Sequence, residues 1–251
     1  MHIVHADFLT SATNAAQWPS GDTPEVAMCG RSNVGKSTLL NALLQRNALA
    51  RVSRTPGRTR LLNFFSVTVA GAKPSKAASK LADSPPVPAR QELNLADLPG
   101  FGYAQISHAE HSKWRPMMEQ YLTERQPLRA VVVLCDGRRA TAGDAADLLF
   151  DELEIARFLR EYDRIVIPVL TKADKLSKHE RKPTAMTLQR LFGQRVTVVS
   201  GQSGEGIDEL WQRIARALVA RPAGADDTDA DAETDAPTFR HQNVPDQGAV
   251  T

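Results

Sequence analysis

Residues 30–37 read Gly30-Arg31-Ser32-Asn33-Val34-Gly35-Lys36-Ser37, between the apolar stretch EVAMC at 25–29 and the leucine-rich stretch KSTLLNALLQ at 36–45. The spacing is G-x-x-x-x-G-K-[ST], in the setting its chemistry requires: a strand runs through a glycine turn into a helix. In such a turn the glycines let main-chain N–H groups close on phosphate oxygens. A lysine in the place of Lys36 reaches the β- and γ-phosphates, and a hydroxyl in the place of Ser37 ligates Mg²⁺. The competing reading is a plain glycine turn followed by an incidental Lys-Ser. It needs strand, turn and helix signals to meet the motif by accident.

Working outward, short β-branched apolar runs alternate with stretches of helical period. That is the pattern of an α/β fold with a mainly parallel sheet. Strands are predicted at 25–29, 61–69, 93–96, 130–135, 165–170 and 196–199, and helices at 36–45, 108–125, 143–162, 178–192 and 206–220. The helix at 143–162 rests on Leu148, Leu149, Ile155, Phe158 and Leu159 at helical spacing. The expectation is a P-loop, Rossmann-like domain with a six-stranded, mainly parallel sheet flanked by helices, spanning 21–220 after an extension at 1–20. Residues 71–90, rich in Ala, Ser, Pro and Lys, read as a flexible, exposed insertion. Residues 221–251 hold two basic and seven acidic side chains with no periodic apolar pattern, and read as a disordered acidic tail.

The chain of 251 residues, 42% apolar and 24% charged, is long enough for one sizeable core and is neither collagen-like nor wholly disordered. No apolar run approaches the roughly 18 residues of a membrane span, and no secretory leader is legible. A cytoplasmic protein without membrane attachment is expected. Cys29 and Cys135 both lie in strand-like runs, so buried free thiols are expected over a disulfide. The overall charge of +2 hides a tail of −5 and a body of +7. A basic body favours phosphate-rich partners, though only weakly.

Three further motifs stand at predicted strand ends, where open α/β sheets bind ligands. Asp97-Leu98-Pro99-Gly100 offers a carboxylate that can hold Mg²⁺ through water and a glycine N–H for the γ-phosphate. Thr171-Lys172-Ala173-Asp174 offers a lysine stem to cover a purine and a carboxylate for the N1–H and N2 amine of guanine, a donor pair that adenine lacks. Val198-Val199-Ser200 can turn backbone N–H groups to the guanine carbonyl. Each alone is an ordinary turn or cap; four in this order are not.

GRSNVGKSTLLNAL at 30–43, TPGRT at 55–59 with LNFF at 62–65, DLPGFGYA at 97–104, Trp114 with Tyr121-Leu122, and LTKADKL at 170–176 carry a resemblance. The chain resembles the EngB (YihA/YsxC) family of bacterial ribosome-assembly GTP-binding proteins, among the translation-factor-related GTPases. The similarity spans about residues 4–219, with FLTSA at 8–12 resembling the family's amino-terminal extension. The resemblance implies GTP and GDP as substrate and product, Mg²⁺, and a slow molecular switch. It also implies the large ribosomal subunit or its precursor, RNA and protein, as partner, a monomeric state, and a link to cell division and septation. It makes Gly57, Arg58, Thr59, Arg60 and Leu61 the first switch, with Thr59 as second Mg²⁺ ligand beside Ser37. Thr38 joins the P-loop contacts, and Lys36, Thr59 and Gly100 are the groups nearest the transferred phosphate. Thr171 stands where GTPases usually carry Asn, and the family resembles this chain in having Thr there.

Phe101 follows DLPG where many signalling GTPases place a water-orienting glutamine, so hydrolysis should rest on phosphate positioning, Mg²⁺ and groups supplied by a partner. The similarity of GRSNVGKS to related GTPases with the pattern GxxNxGKS implies Asn33 as a candidate ligand for K⁺ beside the phosphates, with a simple turn-capping role as its alternative. Trp114 and Tyr121 are expected in the core, His108 and His111 at a solvated helix start. Arg51, Arg54, Arg58 and Arg60 form a basic cluster by the first switch, and Arg138-Arg139 a basic pair. Two rival functions stand beside the switch: a GTP-dependent binding module with negligible hydrolysis, and an ATP-dependent phosphotransferase, the latter disfavoured by Asp174.

Overall fold

The structure, a computed structural model, describes residues 1–46, 61–71, 89–100, 108–141 and 144–220, and the backbone alone for 108–115. Arg51, Arg54, Gly57 to Arg60, Phe101, most of the 71–90 segment and the whole of 221–251 lie outside the described residues.

The elements run β1 (His2–Ala12), β2 (Glu25–Gly30), α1 (Lys36–Leu44), β3 (Leu62–Ala70), β4 (Arg90–Asp97), α2 (His108–Glu124) and β5 (Leu128–Asp136). There follow α3 (Gly137–Ala140), α4 (Ala145–Leu148), α5 (Phe150–Glu161), β6 (Ile165–Thr171), α6 (Lys178–Phe192), β7 (Thr197–Val198) and α7 (Ile207–Val219). The sheet order is β1-β3-β4-β2-β5-β6-β7. β4, β2, β5, β6 and β7 run parallel, while β3 is antiparallel to both β1 and β4. Five parallel neighbours therefore end on one edge of the sheet, which is where the four motifs lie.

The central strands are apolar throughout because both faces are covered. On β5, Val131, Val133 and Cys135 join Tyr121 and Leu122 of α2, Leu159 of α5 and Phe192 of α6 in one core. Ala130, Val132 and Leu134 point the other way, against Leu39, Leu40 and Leu43 of α1 and Trp211 and Ile214 of α7. Tyr121 is fully buried, as expected; its hydroxyl donates to Glu25 at 2.8 Å. Arg125 grips the same buried carboxylate at 2.6 and 3.1 Å, fixing the start of β2 against the end of α2. Cys29 and Cys135 are buried and unbridged, and burial pushes the Cys29 thiol up to about 12.

Two expectations are corrected. Among the described residues the sheet has seven strands, not six, because residues 2–12, within the stretch read as an extension, pair with β3 along its length. Register slips at Val4 and Leu9 leave both residues exposed and break the period-of-two pattern that would have revealed the strand. The single helix expected over 143–162 is interrupted. Leu149 leaves helical geometry at φ −109°, ψ 16°, which carries its side chain into the core between α4 and α5, and Arg139 caps the Leu148 carbonyl at the break.

Candidate nucleotide-binding site

The phosphate loop leaves β2 at Gly30 and enters α1 at Lys36. A Cβ on Gly30 would meet the Leu134 Cβ at 2.9 Å, so the loop lies closely against β5. Gly35 sits at φ +101° and Asn33 at φ +63°, left-handed conformations that curl the loop. Among the described residues the Asn33 amide has no hydrogen-bond partner, so the turn-capping alternative is not what holds it.

The loop's carbonyls are satisfied from the far side of the site. The Thr171 hydroxyl, at the end of β6, is shared between the carbonyls of Val34 at 2.8 Å and Cys135 at 3.1 Å. Lys172, at φ +59°, swings across the loop and donates to the Asn33 carbonyl at 2.5 Å and to Asp136 Oδ2 at 2.9 Å. Its stem passes Gly35, where a Cβ would stand 3.6 Å from the lysine Cε. The unusual Thr171 is therefore a strut for the loop.

Lys36 forms an ion pair with Asp97, both side chains nearly buried. Gly100 lies against the loop, where a Cβ would stand 2.9 Å from Ser32 Oγ and 3.0 Å from its backbone nitrogen. No larger residue fits between Gly100 and Ser32 of the loop, so DLPG packs closely against it. Ser37 and Asp97 offer hard oxygen donors of the kind Mg²⁺ accepts alongside phosphate oxygens. Among the described residues no group of three or more His, Cys, Asp or Glu could hold a metal alone. A cation here would thus share its coordination with the ligand.

At the other end, Asp174 accepts from Ser200 Oγ at 2.7 Å, and this hydrogen bond holds its carboxyl below the usual carboxylate range. Ser200 Oγ itself accepts from the N–H groups of Gln202 at 3.3 Å and Ser203 at 3.1 Å. The Val199 and Ser200 amides are spent on the carbonyls of Leu170 and Glu205. The contribution of Ser200 is therefore its hydroxyl, which orients Asp174, in place of the backbone N–H expected from sequence. Ala173 binds the Val199 carbonyl through its N–H at 3.1 Å and brings the two base-side motifs together.

The structure thus unites Gly30 to Ser37, Asp97 to Gly100, Thr171 to Asp174 and Val198 to Ser200 along one sheet edge. Leu61, at the far end of the expected first switch, is exposed ahead of β3. Two contributors were missed in the sequence. Asp136 meets Lys172, as above. Asp151, at the start of α5, pairs with Arg31 of the loop. Beside it, Glu152 is fully buried against Arg139 at 3.3 Å, and burial raises its carboxyl to about 6. Neither acid stands in a motif, and only the strand register and the break before α5 bring them to the loop.

A family model described as 50S ribosome-binding GTPase matches residues 25–172. The probable GTP-binding protein EngB of Anaeromyxobacter dehalogenans is 41% identical over 232 residues, covering 91% of this chain and 98% of that protein. That of Trichlorobacter lovleyi is 42% identical over 221 residues, covering 87% and 98%. The chain belongs to the EngB family of GTP-binding proteins. A crystal structure of a probable GTP-binding protein EngB shares the fold, with a TM-score of 0.55 at 20% identity over 77% of this chain and 98% of the other. As a member of this P-loop GTPase family the protein carries Lys36, Asp97 and Asp174 in the arrangement described, and no described helix is long and apolar enough to cross a membrane.

Thr171→Val keeps the shape and removes the donor shared by two buried carbonyls. It is expected to cost about 1–3 kcal/mol of stability in urea unfolding, with Thr171→Ser close to the parent. An unchanged midpoint in the valine variant would refute the strut.

Proposed function

We propose that the protein is a Mg²⁺-dependent GTP switch that hydrolyses GTP slowly to GDP and phosphate and acts in assembly of the large ribosomal subunit in the cytoplasm, in step with cell division. The observation that carries the guanine reading is Asp174, ionised and oriented by Ser200 at 2.7 Å, at the sheet edge that also holds the phosphate loop. A fixed carboxylate accepts both donors of the guanine edge and meets no such pair on adenine, which argues against the ATP-dependent phosphotransferase. The ribosomal role is supported by the description of the matched family model and by the +7 body, whose sign suits RNA. The acidic tail has the wrong sign for that contact, and a monomer is the state proposed in solution.

In this reading the loop amides and Lys36 hold the β- and γ-phosphates, Ser37 with Thr59 and the phosphates hold Mg²⁺, and the Gly100 N–H meets the γ-phosphate. Bound Mg²⁺ supplies charge neutralisation at the phosphates. Asp97, paired with Lys36, would help to hold Mg²⁺ by way of water. Phe101 cannot orient a water molecule, which favours slow intrinsic turnover and keeps a binding module with negligible hydrolysis as the second reading.

Replacing Asp174 with Asn should weaken GTP and GDP and move preference toward xanthine nucleotides, measured by competition binding. A variant that holds GTP as tightly as the parent would refute the base assignment.

The unpartnered Asn33 amide in its left-handed turn supports K⁺ as a second cation. Steady-state turnover at fixed ionic strength should be faster in K⁺ than in Na⁺, and the difference should vanish in Asn33→Ala. Equal rates in both salts would remove potassium from the account.

A further inference from the structure

We propose that Asp136 is a positioning residue for the purine site, holding the Lys172 stem across the phosphate loop as the platform for one face of the guanine ring. This rests on the guanine reading above and adds a residue to it.

Asp136 is the last residue of β5 and pairs in register with Thr171 on β6, so its side chain stands beside that of Lys172. Both carboxylate oxygens are engaged. Oδ1 accepts from the Arg138 backbone N–H and Nε, each at 3.1 Å, and Oδ2 accepts from Arg138 Nη2 at 2.7 Å and Lys172 Nζ at 2.9 Å. Burial opposes the charge, but the bonds from Arg138 and Lys172 outweigh it and hold the carboxyl below its ordinary value. The following Gly137 leaves no room for a side chain, since a Cβ would meet Leu176 at 2.9 Å and Leu170 at 3.0 Å.

Lys172 needs such an anchor. Its long stem loses rotamer freedom by lying flat over the loop, and the Asn33 carbonyl alone offers a neutral acceptor. A charge-assisted bond to a preset carboxylate is roughly twice as strong as a neutral one. Arg138 shields the outer side of Asp136 with its own guanidinium, whose side chain is 57% exposed, so this carboxylate is ordered by a partner that does not depend on ligand. The lysine therefore meets the base in its working position.

A salt bridge of purely structural role would affect stability whatever stood at position 172. A positioning residue acts only through its lysine, so a double-mutant cycle separates the two. GDP affinity is measured for the parent, Asp136→Asn, Lys172→Ala and the double variant. Asn preserves the cap on the Arg138 N–H while removing the charge. Asp136→Asn should raise the GDP Kd about tenfold in the parent and less than about twofold in the Lys172→Ala background, an energetic coupling typical of residues in one hydrogen-bonded network. Asp136→Ser, which also caps, should repeat both values if the Asn variant folds poorly. Equal fold-changes in the two backgrounds, or no change in the parent, would overturn the proposal. If Lys172→Ala alone binds GDP like the parent, the purine site itself is misassigned and the proposal falls with it.

Discussion

Two main-chain carbonyls of the loop between β2 and α1 take their donors from the start of the Thr171 to Asp174 segment, so the shape of the one depends on the place of the other. The Val34 carbonyl takes the Thr171 hydroxyl and the Asn33 carbonyl takes the Lys172 ammonium. Val34 is buried and Asn33 is exposed; a buried carbonyl without a donor is costly, so the Thr171 hydroxyl at the end of β6 helps to hold the turn between β2 and α1. The Gly30 to Ser37 loop and the Thr171 to Asp174 segment thus share one set of hydrogen bonds.

The sheet makes that sharing possible. Parallel pairing of β2 with β5 and of β5 with β6 brings Gly30, Asp136 and Thr171 to one edge, and both faces of these strands are packed by helices. Among the described residues, cations at that edge meet carboxylates from other elements: Lys36 with Asp97, Lys172 with Asp136, which Arg138 also engages, and Arg31 with Asp151. The site is therefore held together electrostatically by groups on different elements, which is why residues far apart in sequence converge there.

The sequence makes legible what is encoded locally. The phosphate loop, DLPG and Thr171 to Asp174 are contiguous runs whose spacing carries their chemistry, and each lies where it was expected. The hidden parts depend on pairing that no local run encodes. Residues 2–12 escaped as a strand because the slips at Val4 and Leu9 scramble the alternation. The helix expected over 143–162 looked continuous because Leu148, Leu149, Ile155 and Leu159 keep helical spacing across a break made by one backbone turn at Leu149. Asp136 stands in none of the four motifs, and only the β5–β6 register puts it beside Lys172. Ser200 lies at the expected end of β7 but acts through its hydroxyl, because the fold itself uses its N–H.

The central claim is that one rigid edge of the sheet binds a guanine nucleotide through Asp174 and the phosphate loop. The most direct test is competition for that site on the full chain with Mg²⁺ present, by displacing a fluorescent GDP analogue with unlabelled GDP, GTP, ADP and ATP. The account predicts displacement by GDP and GTP, with ADP and ATP weaker by at least about a hundredfold, the scale on which a site built for hydrogen bonds rejects a ligand lacking them. Equal displacement by ADP or ATP would contradict it.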